Sequence, residues 1–330
     1  MKYLSVLAVA ALFTAVPLSA AELLIYSSRH SNYLQPLLNE YSRETGLSVQ
    51  LVNAPASALL SRLAVEGENS RAALLIMTGA ENFIRAANRQ LLAPVDSTTL
   101  QSNVPAYLRA PDNSWFALSK RIRTIVYNSA TVNPENLGTL AGLATEQWRG
   151  KLCLLTSQAD YSRMLIAALI EQYGEAASQT ILNGWVANMA IPPLPDDNAI
   201  LQAIGTGECD IGIINSYYFA RETREHPDTK LRIFWSDQAE KGGYANITGA
   251  AVLAHAPDKE QATDLLEWLT TRRSQARYSR FSMEFPVNPE VYPPKEIARW
   301  GPFRTNKTPL YKSGLRLTQA ARLAQITGYE

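Results

Sequence analysis

The chain has 330 residues, 46% of them apolar and 18% charged, which gives ample material for a folded core and excludes a disordered chain. Its 31 basic and 30 acidic residues leave a net charge of +1, no footprint for nucleic acid or for an anionic membrane surface. Two cysteines and three histidines exclude a zinc ribbon, an iron–sulfur cluster and a disulfide scaffold, so the chemistry falls to oxygen ligands and ordinary polar side chains.

Lys2, the apolar stretch 4–16, Pro17 and then Ser19-Ala20-Ala21 have the order of a secretory leader, with cleavage expected before Glu22 or one residue earlier. Losing residues 1–21 removes Lys2 alone among the charges and leaves the mature chain neutral. No cysteine stands at the cleavage site to carry a lipid anchor, and no later apolar run approaches the roughly 20 residues that span a bilayer. The expected location is a periplasm, entered through the cleaved leader. That compartment permits Cys153 and Cys209 to pair, while two buried free thiols fit the sequence equally well.

After the leader, Leu23-Leu24-Ile25-Tyr26 reads as a buried strand. A helix follows with Leu34, Leu37, Leu38 and Tyr41 on one face; Ser31 or Asn32 is its expected cap, Pro36 is placed near its first turn and Gly46 ends it. Next come a strand over 48–52, a helix with Leu59, Leu60 and Leu63 closed by Gly67, a strand over 73–77 and a helix around Phe83, Ile84 and Ala87. A second unit begins after about residue 124. It has strands over 151–155, 209–214 and 231–235, helices over 165–170 and 177–186, and a further strand over 247–254. The C-terminal third is helical, with Leu265, Leu266 and Leu269 on one face.

Alternating strands and helices predict an α/β fold of two lobes, each a mostly parallel sheet flanked by helices. No Ser/Gly linker separates the lobes, so strands themselves must cross between them; 124–127 and 247–254 are the expected crossings. The boundaries that follow are 22–124 for the first lobe, 125–246 for the second, 247–295 returning to the first, and 296–330 as a helical segment on the second. Lobes joined by short strands bend about them and close on a ligand, which in open α/β sheets sits beyond the carboxyl ends of the strands. Those ends lead into 27–31, 78–81, 156–161 and 215–218.

These segments hold His30, Tyr161, Tyr217 and Tyr218 and few carboxylates. A phenol with its pKa near 10 loses its proton at neutral pH only to a highly charged cation. Three phenolates and an imidazole would therefore select Fe(III) over Ca²⁺, Mg²⁺ or Zn²⁺. The spacing equally allows the adjacent pair to be packing or a sugar-stacking platform. Catalysis has little support: His30 lies beside Ser27, Ser28 and Ser31 on one loop, where a triad rarely forms, and there is no Gly-x-Ser-x-Gly elbow.

The order of motifs resembles the periplasmic ferric-iron-binding proteins of bacterial ABC importers, which have a transferrin-like, two-lobed type II binding-protein fold. The resemblance spans the mature chain. It rests on Tyr26-Ser27-Ser28-Arg29-His30, Glu44-Thr45-Gly46, Glu66-Gly67, Arg121-Ile122-Arg123 with Tyr127-Asn128, and Trp148-Arg149-Gly150-Lys151. It continues through Gly207-Glu208-Cys209-Asp210, Asn215-Ser216-Tyr217-Tyr218, Asn246 with Gly249, and Glu284-Phe285-Pro286-Val287-Asn288.

The resemblance implies Tyr217 and Tyr218 as paired iron ligands, His30 as the first-lobe histidine and Tyr161 as a third tyrosine. It implies Arg29, Asn188 and Asn215 as supports of the ligands or of a bound anion. It further implies a monomeric, non-enzymatic receptor that hands Fe(III), its coordination completed by an anion or water, to an inner-membrane permease with an ATPase. Ser31 stands where one subgroup has a tyrosine and Thr78 where another has a glutamate, and Tyr33, two residues on, is expected to point elsewhere. The first-lobe half of the site is thus thinned. A receptor of the same fold for a small organic anion or an iron chelate, held by Arg29, Arg121 or Arg163, is the alternative; a receptor that signals to a membrane sensor is a third.

Overall fold

The computed structural model describes residues 22–330; the expected leader lies outside the described residues. The strands are β1 (Glu22–Ser27), β2 (Ser48–Asn53), β3 (Ala72–Thr78), β4 (Phe116–Asn128), β5 (Leu152–Cys153), β6 (Ile211–Asn215), β7 (Leu231–Phe234), β8 (Ala245–Val252) and β9 (Phe285–Pro286). The helices that bear on the site are α1 (Ser31–Thr45), α2 (Ala56–Glu66), α3 (Ala80–Asn88), α4 (Thr98–Asn103), α5 (Asp160–Tyr173), α6 (Glu175–Asn188), α7 (Asp197–Thr206) and α8 (Ser216–Glu225).

In the first lobe the strands run β2-β1-β3-β8-β4, with β1 parallel to both β2 and β3. In the second, β5 lies parallel to β6, and β6 and β7 both pair with β4. The parallel pairings belong to the βαβ units. Every pairing made by β4 and β8 is antiparallel, so both sheets are mixed.

Strand β4 is the structural pivot. Its residues Phe116–Ile122 pair with β8 in the first lobe, and Arg123–Tyr127 pair with β6 in the second. The exchange therefore falls between Ile122 and Arg123, two residues before the expected stretch. The chain crosses back just ahead of β8, where the Arg123 N–H donates to the Tyr244 carbonyl at 2.9 Å.

Burial explains the elements. Leu34, Leu37, Leu38 and Tyr41 recur at helical spacing and are all buried along α1; each such side chain contributes about 1.5–3 kcal/mol. Gly46 ends α1 in the left-handed region at φ +77°, where a side chain would be strained. Two local expectations fail. His30, not Ser31 or Asn32, occupies the N-cap and makes no capping bond, and Pro36 is the sixth helical residue, deep enough to remove an intrahelical hydrogen bond. In the second lobe Cys153 and Cys209 form a disulfide with Cα atoms 5.9 Å apart, which resolves the open choice.

Candidate metal centre

The second-lobe half is built on β6. This strand is buried throughout and ends at Asn215, the N-cap of α8, so Tyr217 and Tyr218 fall in the first helical turn. Their ring centroids are 4.3 Å apart and tilted by 31°. Asn215 is fixed beneath them: its backbone and side-chain N–H groups donate to Asp197 Oδ2 at 3.1 and 2.9 Å. Asp197 also accepts from Arg123 Nη1 at 2.9 and 3.1 Å, and Arg123 Nη2 donates to the Ile213 carbonyl. Both members of this ion pair are buried, so removing either would strand a charge. The buried Oδ1 of Asn215 has no partner among the described residues.

Tyr161 arrives from the first turn of α5 and packs against the same apolar cluster as Tyr218. The Arg123 guanidinium lies 5.4 Å from its ring centroid. Burial pushes the Tyr161 phenol up, the charges of Asp197 and Tyr218 add to this, and Arg123 and Arg121 oppose it. Tyr217, 9% exposed, is pushed well above the phenol range by burial and then by Tyr218. Burial likewise raises Tyr218. Three phenols thus share one electrostatic neighbourhood, each needing to lose a proton before it can act as a ligand.

The first-lobe half centres on arginines. Arg29, buried in the loop after β1, lies 2.9 Å from Glu284 Oε1 and stacks 4.4 Å from the Tyr33 ring centroid and 6.0 Å from that of Tyr217. Glu284 accepts from Ser119 Oγ and from Thr248 Oγ1, and Arg121 stands 3.8 Å away. Burial alone would raise this carboxyl; Arg29 and Arg121 together with the two hydroxyls hold it below the usual range.

His30 is exposed at the rim, its ring edge-on to Tyr33 at 6.5 Å. Contrary to the expectation from its spacing, Tyr33 faces the site. Its hydroxyl accepts from Arg221 Nη2 of α8 at 2.5 Å, and the Arg221 guanidinium lies 4.8 and 5.7 Å from the Tyr217 and Tyr218 centroids. Asn188 is not at the site. Its amide donates to the Leu143 and Thr145 carbonyls, at the opposite end of β5 from the turn that leads to Tyr161. Arg163 is likewise committed, donating to the Ser157 carbonyl and to Gln158 Oε1.

Glu81 ends the 78–81 segment that the sequence places near the ligand, but sequence reasoning does not single it out. Its carboxylate folds back over Gly79, where a Cβ would sit 1.7 Å from Oε1; Gly79 is also at φ +89°. Burial pushes this carboxyl up to about 7, and Asp160 adds to the effect while Arg121 and Asn246 oppose it. A glutamate in a helix's first turn is ordinary, so the sequence carried no signal for it. Among the described residues no group of three or more His, Cys, Asp or Glu side chains is arranged to hold a metal ion.

Residues 37–305 match the family described as bacterial extracellular solute-binding proteins. Iron uptake protein A1 of Synechocystis is 34% identical over 94% of this chain and 88% of its own length. The major ferric iron-binding protein of Neisseria meningitidis is 26% identical, covering 86% of each. In three dimensions the Trichodesmium protein FutA (IdiA), solved in complex with iron and citrate, superposes with a TM-score of 0.91 at 34% identity, over 94% of this chain and all 100% of that one. Ferric iron-binding protein A of Mannheimia haemolytica, solved in an open conformation, gives 0.89 at 29% identity, over 94% and 99%.

Proposed function

The chain belongs to the bacterial extracellular solute-binding protein family, and from that premise we propose that it is the iron(III) receptor of an ABC importer. As a transport receptor it carries cargo and is not an enzyme. In this reading Tyr217, Tyr218 and Tyr161 supply three phenolates, whose charge neutralises Fe(III), and His30 joins them from the rim of the first lobe. Arg29 and Asn215 support the ligand residues through Glu284 and Asp197. An anion or water completes the coordination. The loaded receptor, a periplasmic monomer delivered by its leader, then docks on an inner-membrane permease driven by an ATPase.

The observation that carries this is the Tyr217–Tyr218 pair, its rings 4.3 Å apart and tilted by 31°, with Tyr161 packed on the same apolar cluster as Tyr218, where β4 passes from one sheet to the other. Hard, trivalent iron favours anionic oxygen, and burial that keeps the phenols protonated in the empty receptor is reversed when the cation displaces their protons. The test is optical. Ferric iron supplied as its nitrilotriacetate complex should give a visible phenolate-to-iron band, and Tyr218→Phe should weaken that band, keeping what the two remaining phenolates give, and weaken binding by roughly 100-fold or more. A protein that stays colourless and melts unchanged with ferric iron overturns the proposal.

A second reading has its own support: Arg121 stands 3.8 Å from Glu284, and Arg221 lies over the tyrosine pair with no carboxylate partner among the described residues. Two such cations suit the carboxylates of a ferric chelate. Binding of ferric citrate but not of iron delivered from nitrilotriacetate would favour it.

A further inference from the structure

Beside β4 lies a groove of about 780 Å³, part of whose wall (Phe285, Ile297 and Phe303) belongs to the apolar cluster that also holds Tyr217 and Tyr218. Successive side chains of a strand alternate, so with Arg121 and Arg123 turned toward the ion pairs of the site, Lys120 projects to the opposite side. There its neighbours in the groove are Phe285, Tyr107, Phe303 and Lys307, with five prolines in the walls. No Asp or Glu lines the groove, and among the described residues neither lysine makes an ion pair or a side-chain hydrogen bond.

We propose that this groove is a second ligand site, for a small organic anion with a flat or extended apolar body, such as an aromatic or acyl carboxylate or sulfonate. Two ammonium groups without a carboxylate counterpart supply the attraction for the anionic head. The aromatic and proline walls supply apolar surface for the body, in the manner of preformed small-molecule pockets. Burial lowers the Lys120 pKa and the nearby Lys307 charge lowers it further, so an anion between them would relieve the repulsion of the two ammonium groups.

The two walls belong to different lobes. Lys120 and Phe285 are paired in the first-lobe sheet. The Lys307 wall is tied to the second lobe through the Gly243–Thr305 bridge and through Arg304, whose N–H donates to Gln238 Oε1. The shape of the groove therefore depends on how the lobes are set. Trp235 stacks on Phe303 at 4.2 Å, directly behind the groove wall, and provides a reporter.

The probe is 8-anilinonaphthalene-1-sulfonate, compared with N-phenyl-1-naphthylamine, which has the same rings without the sulfonate. Wild-type protein should bind the sulfonate saturably at one equivalent, with a change in tryptophan emission. The Lys120→Met, Lys307→Gln double variant should bind it at least about tenfold more weakly, while the uncharged analogue binds both chains alike. If the double variant loses its cooperative melt, Lys307→Gln alone carries the test, since that side chain is exposed. Equal sulfonate affinity in wild type and variant, or no saturable binding by wild type, overturns the proposal.

Discussion

Arg85 reaches from the first lobe to Asp160 of the second, its Nη1 and Nη2 lying 3.0 and 2.7 Å from the two carboxylate oxygens. The next residue is Tyr161. The clasp therefore joins the lobes beside a proposed ligand, and the Tyr33–Arg221 hydrogen bond joins them at the other tyrosines.

Arg85→Ala removes the clasp without disturbing a core residue. Both partners are about a third exposed, so solvent screening holds the contribution to about 1 kcal/mol or less. The expected outcome is a melting temperature within a few degrees of wild type and iron release faster by roughly up to fivefold. Small-angle scattering should show a wider molecule on average. Release kinetics and scattering curves identical to wild type would refute this use of the pair.

Iron capture should release protons. Burial holds Tyr161, Tyr217 and Tyr218 above the ordinary phenol range, so each is protonated across neutral pH in the empty receptor. Each must lose its proton to ligate, so affinity rises with pH throughout the range below those pKa values. We expect about three protons from the protein per iron bound, and one fewer in Tyr218→Phe. An indicator dye in weak buffer measures this, and pH-independent uptake contradicts a phenolate site.

Glu81 has the opposite signature, seen in stability. Its folded pKa is pushed up to about 7 by burial, above the unfolded value. Between those values the folded chain holds the extra proton, so stability falls as pH rises toward 7, a cost of about 3 kcal/mol above that. Glu81→Gln escapes the cost, and its melting temperature should gain on wild type by several degrees between pH 5 and pH 8. A difference that does not change with pH excludes a buried, protonated Glu81.

The C-terminus holds the approach to Tyr161. The Tyr329 hydroxyl donates to the Leu155 carbonyl at 2.6 Å, and the Ser157 N–H donates to the Glu330 carbonyl at 3.1 Å. Tyr329→Phe should cost about 1 kcal/mol of stability. Removing the last two residues should loosen residues 155–160 and weaken iron binding more than stability. Hydrogen exchange across that segment is the readout, and unchanged protection after truncation counts against the role.

Much of the fold was legible because its causes are local. Buried strands read as apolar runs, α1 as leucines at helical spacing, and the Tyr217–Tyr218 pair as an unusual sequence at the end of a strand. What stayed hidden depends on what the other lobe places opposite. The spacing of Tyr33 named a helix face but not Arg221, which shares its hydroxyl. Asn188 looked like a support for the site, yet its amide closes a loop at the far end of β5. The length of α1 put Pro36 past the first turn, and neither residue chosen as its cap caps it. The mixed character of the sheets follows from β4 and β8 running antiparallel to their neighbours, and a sequence does not print strand direction.

Arg121 and Arg123 sit two positions apart on one uninterrupted strand, one leaning on the first lobe's Glu284 and the other on the second lobe's Asp197. One inserted residue between them would send one guanidinium to the wrong side of its sheet, among apolar neighbours. Neither half can be excised as a free-standing piece, since each would leave with a ragged sheet edge where its shared rung had been. In lineages that carry this architecture, length changes should therefore gather in surface turns and spare this one seam, whatever cargo the cleft has come to hold.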